Sequence, residues 1–425
     1  MNYREFFNKA KEKGITNIQI TEYTNIGSEG EILDGELDSF EDYNNIDYYI
    51  KAEYNDKTIK TRCNYLNEEI IDLLIMKSKS TDSKYEDEYL EKENKIEKEP
   101  DHEIDISEEM KTLKKLDKLK DNYPEIEKLA TYFYEENIGT RIVNSNDVDM
   151  ATNAYLCSFL VEAIAKNGNE TTAYDRRILT TNKKEIDFEN ITKDVIEKTI
   201  IQNTKSKLET KKYDIILDNV VAGNIISHIV DMLAGAAIRN KVSCLENKLN
   251  KQVFDKKITI VEEPTNKKYP GYRLFDDEGT KTTNKTIIDK GTIKTYLYNI
   301  KEAKIKGVNS TGNGYSNINV KNMYLKPGKL TNEELIKNLK DGLYITDYMG
   351  SQSTSINNTN GQISLQIFGF IVENGKIIKG FVPAIMTTTI FELLSNVEEI
   401  GNDLVFTNTN VASPSLLIKD ISIAS

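Results

Sequence analysis

The stretch from Asn219 to Pro264, NVVAGNIISHIVDMLAGAAIRNKVSCLENKLNKQVFDKKITIVEEP, constrains this chain more than any other. Val221, Ala222, Ile225, Ile226, Ile229, Val230, Met232, Leu233, Ala236 and Ala237 recur at helical spacing. A helix apolar around most of its circumference stays in solution only when other elements cover it. The spacing predicts one long, mostly buried helix running on through Ala237, with Ser227, His228 and Asp231 breaking into its apolar surface. Tyr213 to Leu217 reads as the strand that feeds it.

The chain before it carries a different pattern. Residues 3 to 13 predict a short helix, and NIQITEYT, GEILDGELDSFED, IDYYIKAEYN and KTIKTRCNY alternate apolar with polar positions between Asn, Gly and Asp turn signals. That is an antiparallel sheet with one wet face, and the apolar stripe of Asn67 to Lys77 supplies a helix to cover the dry one. Residues 78–109 are dense in Lys, Glu and Asp, the composition of a solvated linker or loop. Glu108 to Lys120 and Pro124 to Glu135 read as helix or helix-strand segments. TRIVNSNDVDMATNAYLCSFLVEAIAKNGNETTAYDRRILT alternates like two or three long strands, with Asn144, Ser145 and Asn146 as a tight turn. Exposed backbone on such a strand could accept an extended peptide by strand addition, simple sheet interior being the plainer reading. Phe188 to Asn203 gives an amphipathic helix, and Thr204 to Lys212 is the expected boundary.

Beyond the long helix, LKPGKLTNEELIKNLKDGLYITDYMG predicts a strand, a Pro-Gly turn, a helix capped by Thr331 and Glu334 and ending at Gly342, then another strand. ISLQIFGFIVENGKIIKGFVP is a hairpin turning at Glu373, Asn374 and Gly375; Ile390 to Val397 is a short helix; SLLIKDISIA is a final edge strand. The expected fold class is α+β. Residues 1–207 form an N-terminal antiparallel sheet with helices, including the acidic linker at about 78–109, and residues 208–425 form a β-rich domain carrying the long buried helix.

A chain of 425 residues, 38% hydrophobic and 29% charged, has enough apolar material for two domains. Its net charge of −12 argues against a nucleic-acid partner, which needs a concentrated basic face. Cys63, Cys157 and Cys244 are far apart and odd in number, so neither a disulfide framework nor a zinc knuckle is expected. The opening MNYREFFNKAKEKG lacks the apolar core of a signal peptide, and apolar runs such as Ile367 to Val372 are too short to span a bilayer. A cytoplasmic protein with no membrane partner is expected. The only histidines are His102 and His228, which argues against a self-contained zinc peptidase. His102-Glu103 opens like a zincin motif, but Ile106 and Ser107 stand where the second His is required.

The helix, followed in order by GYRLFDDEGTKTTNKTIIDKGTIKTYLYNIKEAKIKGVNSTGNG, NMYLKPGKLTNEELIKNLKDGLYITDYMG, GFIVENGKIIKGFVP and EEIGNDL, resembles the TldD/PmbA family of zinc metallopeptidases and relatives that process peptides. The resemblance implies a His-Glu-x-x-x-His pattern on this helix in catalytic members. In register, those positions hold Ser227, His228 and Met232, and none keeps its catalytic residue type. A zinc site takes about three protein ligands from His, Cys, Asp or Glu, with a general base beside the bound water. The family's Thr-Gly-Asp-Phe-Ser motif falls on Asn360, Gly361, Gln362, Ile363 and Ser364, without its carboxylate. The chain thus resembles the metal-free PmbA (TldE)-like branch. That implies no catalytic residue, metal or cofactor here, a TldD-like partner subunit supplying zinc and hydrolysis, and small unfolded peptides as substrates. The name "modulator of DNA gyrase", attached to the family, does not imply DNA binding.

Other candidates have plainer readings beside them. His228 and Asp231, three apart on a helix, could share a metal or a proton, or His228 could simply be half-buried and bonded to a nearby acceptor. Cys244 is expected to be buried rather than nucleophilic. Asp276, Asp277 and Glu278 could bind a hard cation, a solvated turn being the alternative. Gly312, Asn313, Gly314 and Tyr315 could cradle a peptide carbonyl or carboxylate in a groove. Two further readings compete: a stand-alone metallopeptidase with a rearranged site of His228, Asp231 and Cys244, and a homodimeric peptide-binding scaffold.

Overall fold

The computed structural model describes residues 1–81, 89, 94–98, 100–167, 170–314, 317–349 and 356–425. The chain opens with helix α1 (Tyr3–Glu12) and strands β1 (Asn17–Leu33), β2 (Glu36–Tyr54) and β3 (Lys57–Cys63), then α2 (Glu68–Ser78) and β4 (Asn94–Glu97). Next come α3 (Ser107–Leu116), β5 (Ile126–Asn144), β6 (Asp149–Asn167), β7 (Glu170–Thr180) and α4 (Phe188–Gln202). All seven strands form one sheet, ordered β3-β2-β1-β5-β6-β4 with β7 also on β6. The stretch read as a single strand over 30–42 bends at Asp34 and Gly35, both in the left-handed region that a two-residue hairpin turn requires. The helices α1 and α2 cover one end of the sheet, where Phe6, Ile18, Ile50, Ile71 and Leu74 share a core.

The acidic stretch is less detached than its composition suggests. β4 pairs in parallel with Asp149 to Thr152, and Ile106 is buried. Asn137 holds the main chain of His102 at both ends, accepting from its N–H (2.9 Å) and donating to its carbonyl (2.8 Å). Backbone pairing of this kind needs no apolar side chains, so hydropathy does not reveal it.

The second half begins with β8 (Lys205–Ser206), β9 (Lys211–Leu217), α5 (Asn219–Leu233) and α6 (Gly235–Arg239). β10 (Ile260–Glu262), β11 (Lys285–Asp289), β12 (Thr292–Ile293), α7 (Ile300–Lys306) and β13 (Met323–Leu325) follow. Then come α8 (Asn332–Leu339), β14 (Gly342–Met349), β15 (Gln362–Glu373), β16 (Lys376–Phe381) and β17 (Ala384–Thr389). The chain finishes with α9 (Ile390–Ser395), β18 (Val397–Ile400), β19 (Val411–Ala412) and β20 (Leu416–Ala424). One sheet runs β12-β11-β10-β13-β19 and the other β14-β9-β20-β17-β15-β16-β8. Because β14 also pairs with β15, five strands of the latter sheet close on themselves. α5 lies between the two sheets, its apolar residues in one core with Ile260, Ile288 and Met323 from one side and Leu343, Leu365 and Ile418 from the other.

The chain is therefore α+β, as its patterning predicts, with four further differences of detail. The segment from Pro124 to Glu135, read as helix or helix-strand, lies almost wholly in the long strand β5. The long helix stops at Leu233: Ala234 is extended, and the segment around Leu297 takes over the main chain, with Leu297 N donating to Leu233 O and Gly235 N to Leu297 O. A side chain at 235 would drive into the Tyr298 ring, its Cβ only 2.5 Å from a ring carbon, so Gly235 makes this close pass feasible. β20 is not an edge strand; it lies between β9 and β17 in the closed wall, with Leu416, Leu417, Ile418, Ile421 and Ile423 buried. α8 keeps its Thr331–Glu334 capping box but ends at Leu339 rather than Gly342.

Candidate functional site

The two ends of α5 are built from opposite materials. At its N-terminus Asp218 caps the helix, its Oδ1 accepting from Val220 N (2.9 Å). The same carboxylate takes Arg176 Nη1 (2.8 Å) and the Tyr344 hydroxyl (2.6 Å), while Arg176 Nη2 donates to Asn219 Oδ1 (2.6 Å). Burial pushes the Asp218 carboxyl up, but the Arg176 and Lys198 charges outweigh it and hold the group below its ordinary value. Arg176 belongs to β7 and Lys198 to α4, so this network ties the first sheet and its helix to the start of α5.

The other end is quiet. Ser227 turns its hydroxyl back on its own helix, donating to Asn224 O (2.6 Å). His228 is half-buried; burial lowers its pKa and the exposed Asp231 partly restores it. Met232 is fully buried, with its sulfur 3.6 Å from Cys244 Sγ. Burial pushes the Cys244 thiol up, away from thiolate. The turn carrying Asn360 and Gly361 also closes on this point, since Cys244 N donates to Asn358 O (2.8 Å). The structure thus brings together Met232, Cys244 and the Asn360 turn, while Ser227 turns back on its own helix. Positions five apart on a regular helix differ by about 140° in direction, so Ser227 and Met232 face different neighbours.

The acidic turn and the glycine loop meet each other at Asp276. Asp276 is buried, with one oxygen accepting from Glu278 N (3.0 Å) and Thr280 N (2.8 Å) and the other from Gly314 N (2.6 Å). Burial pushes its carboxyl up to about 7, against the pull of those donors and of Arg273. Glu278 accepts from Ile300 N and Asp277 from the Tyr23 hydroxyl (both 2.8 Å). The solvated-turn reading is corrected at Asp276, which is buried among backbone donors, while Asp277 and Glu278 stay part-exposed. Asn313 donates to Glu262 Oε1 (2.8 Å), and Glu262 also pairs with Lys285 Nζ (2.6 Å). Gly312, Asn313 and Gly314 are all buried, so their polar atoms point inward; Tyr315 lies outside the described residues.

Residues 210–425 match the family described as PmbA/TldA metallopeptidase C-terminal domain, and residues 97–203 the corresponding central domain. The chain belongs to the PmbA/TldD family. It is 29% identical over 231 residues to Metalloprotease PmbA of Escherichia coli O157:H7, covering 54% of this chain and 50% of that one. It is 30% identical over 231 residues to the PmbA homolog of Haemophilus influenzae, covering 54% and 49%. The chain spans about half the length of these curated relatives. Among solved structures, a modulator of a DNA gyrase from Thermotoga maritima MSB8 aligns at TM-score 0.82 with 24% identity over 100% of both chains. TldE from Thermococcus kodakarensis aligns at TM-score 0.82 with 16% identity over 99% of both. These likenesses establish the PmbA/TldD fold.

The zinc that PmbA/TldD membership implies finds a poor donor set on this helix. A serine hydroxyl bonded to its own backbone and a thioether in the apolar core are not among zinc's usual ligands. Among the described residues no group of three or more His, Cys, Asp or Glu side chains is placed to hold a metal ion. No helix among them is long and apolar enough to cross a membrane. The Asp218–Arg176–Tyr344 network joins residues far apart in sequence and is not among the sequence expectations, although an Asp directly before an apolar helical run is a capping signal.

Proposed function

We propose that this chain is the metal-free, PmbA/TldE-like subunit of a two-subunit zinc peptidase acting on small unfolded peptides in the cytoplasm. A TldD-like partner carries the zinc, the general base and the hydrolytic step. This chain supplies the interface and one wall of the peptide chamber, and it holds no catalytic residue or cofactor of its own. The observation that carries the reading is the content of the motif positions: Ser227 bonded to its own helix and Met232 packed on Cys244. Likeness to Metalloprotease PmbA and to the TldE structure favours the same branch, and similarity extends to a TldD homolog of Buchnera aphidicola at 25% identity over 232 residues. In this reading the chain divides at 207/208, in keeping with family matches that stop at 203 and resume at 210.

The test is co-expression with a TldD-type subunit, followed by sedimentation, zinc analysis and cleavage of an unfolded peptide. A mixed dimer with one zinc per pair, and cleavage that neither chain shows alone, is expected. A homodimer that ignores the partner, or zinc-dependent cleavage by this chain alone, would overturn the proposal.

A further inference from the structure

β2 outruns its neighbour. β3 pairs with Tyr48 to Tyr54 only, so from Glu36 to Asp47 the outer edge of β2 has no strand beside it among the described residues. That stretch is open to solvent, with residues 36–42 and 44–46 all exposed. The direction of its main chain follows from β1. Ser145 N donates to Ile18 O (2.9 Å), so even-numbered residues of β1 turn toward β5 and odd-numbered ones toward β2. Carried across the register of β1 on β2, this turns the N–H and C=O of Phe40, Asp42, Asn44 and Ile46 outward.

The side chains of this ribbon carry two further signals. Phe40 lies opposite Gly30, Ile46 opposite Thr24, and Ile26 of β1 opposite Asn44, so these three project from one face of the sheet. They are 49%, 41% and 40% exposed, and Leu37 near the turn is 57% exposed. The charge beside them is of one sign. The sequence holds no Lys or Arg between Lys13 and Lys51, while Glu36, Asp38, Glu41, Asp42 and Asp47 all fall on the open stretch. Arg62 takes Asp47 (2.8 Å) at one end and Lys114 stands 3.6 Å from Glu36 at the other; Asp38 and Glu41 lie between them, exposed.

Edge strands use charge to turn away chance pairing. Acidic guards turn away a second copy of this chain, because self-pairing would set carboxylates beside carboxylates. They attract a basic strand, and the exposed apolar side chains give it surface to cover. We propose that the outer edge of β2 docks an extended, lysine- or arginine-bearing segment of a partner protein, which continues the seven-stranded sheet as a further strand. Main-chain hydrogen bonds form at Phe40, Asp42, Asn44 and Ile46, cations lie beside Asp38 and Glu41, and apolar side chains of the segment cover Phe40, Ile46 and Ile26. The inference goes beyond the subunit reading and holds whether or not the partner is of TldD type.

The experiment is fluorescence anisotropy of the full chain with a labelled, end-blocked peptide Lys-Val-Arg-Ile-Lys-Val-Arg-Ile. Beside it run an acidic twin, with Glu at every basic position, and two versions of the basic peptide N-methylated at alternate residues, the odd ones in one and the even ones in the other. The acidic twin should bind at least about tenfold more weakly than the basic peptide. Because alternate residues of an added strand face the protein, one methylated version should lose at least about tenfold in affinity, one hydrogen bond's worth, and the other much less. Asp38→Lys with Glu41→Lys should weaken the basic peptide by a similar factor. Glu333→Lys with Glu398→Lys reverses two exposed carboxylates elsewhere and should weaken it much less, which separates docking from the pull of the whole chain's charge. Should the 38/41 variant not fold, the methylated pair on the unaltered chain decides. No binding of the basic peptide, equal binding of its acidic twin, equal behaviour of the two methylated versions, or equal weakening by the two double substitutions would overturn the docking edge. The subunit reading is tested apart from this: a mixed dimer that forms while the basic peptide is ignored loses only the β2 edge.

Discussion

The N-terminal end of α5 carries a buried carboxylate held by Arg176, Tyr344 and its own helix, whereas the far end packs a thioether on a thiol beside an exposed Asp231. One helix therefore concentrates strong electrostatics where it joins the two halves of the protein and makes an apolar contact at Met232. The contrast teaches that the helix is retained as a strut. Its charged end fixes the first sheet against the second half, where Ile216, Tyr344 and Phe370 already share a core with Phe159, Ile196 and Tyr174.

The largest expected effect lies at the charged end. Asp218→Ala removes a cap and leaves the Arg176 guanidinium buried without its carboxylate, a loss of about 3–5 kcal/mol. Urea unfolding measures it, and a loss no greater than that of a substitution at 232 would erase the contrast. The Asp218 pKa is lowered on folding, so its contribution is complete above the ordinary value of 3.8 and fades as pH falls through the folded value. Next comes the apolar end. Met232→Leu keeps volume and hydrophobicity and should cost less than about 1.5 kcal/mol, since packing is what Met232 provides. A larger loss, or an altered partner affinity, would show that the thioether itself has a task.

A third expectation lies outside the helix and sharpens the rule that this chain spends its carboxylates on structure. With Asp276 raised to about 7, the folded state binds a proton that the unfolded chain has released, so stability declines as pH rises from about 4 to 7. In Asp276→Asn that part of the slope should vanish, read from melting temperatures at several pH values. An unchanged slope would place the titration elsewhere.

Period-two alternation with Asp, Asn and Gly turn signals made β1 to β3, β6, β7 and the 374–375 hairpin legible, and apolar helical spacing the helix α2, because local sequence dictates them, whereas the first half of β5 reads as helix or helix-strand. The motif positions were legible only through family resemblance. Long-range events were not. The stop at Ala234 depends on Leu297, the interior place of β20 on β9, and the inward turn of Asp276 on Gly314, each a partner distant in sequence. The parallel pairing of β4 within a run of charged residues left no hydropathic trace either.

His228 offers the smallest and most discriminating test. Burial lowers its pKa below 6.5, so the unfolded chain takes up a proton before the folded one does. Its contribution to stability is intact above pH 6.5 and is lost as pH falls below that, whereas Asp218 titrates only below 3.8. His228→Gln should therefore change stability at pH 8 by less than about 1 kcal/mol, as half-exposed positions usually do, and flatten the slope just below pH 6.5. In a mixed complex with a TldD-type subunit the same substitution should leave zinc content and peptide cleavage unchanged. Loss of zinc from the complex on this one substitution would mean that the quiet end of α5 reaches across to the partner's metal, and the strut would have to be read as part of the site.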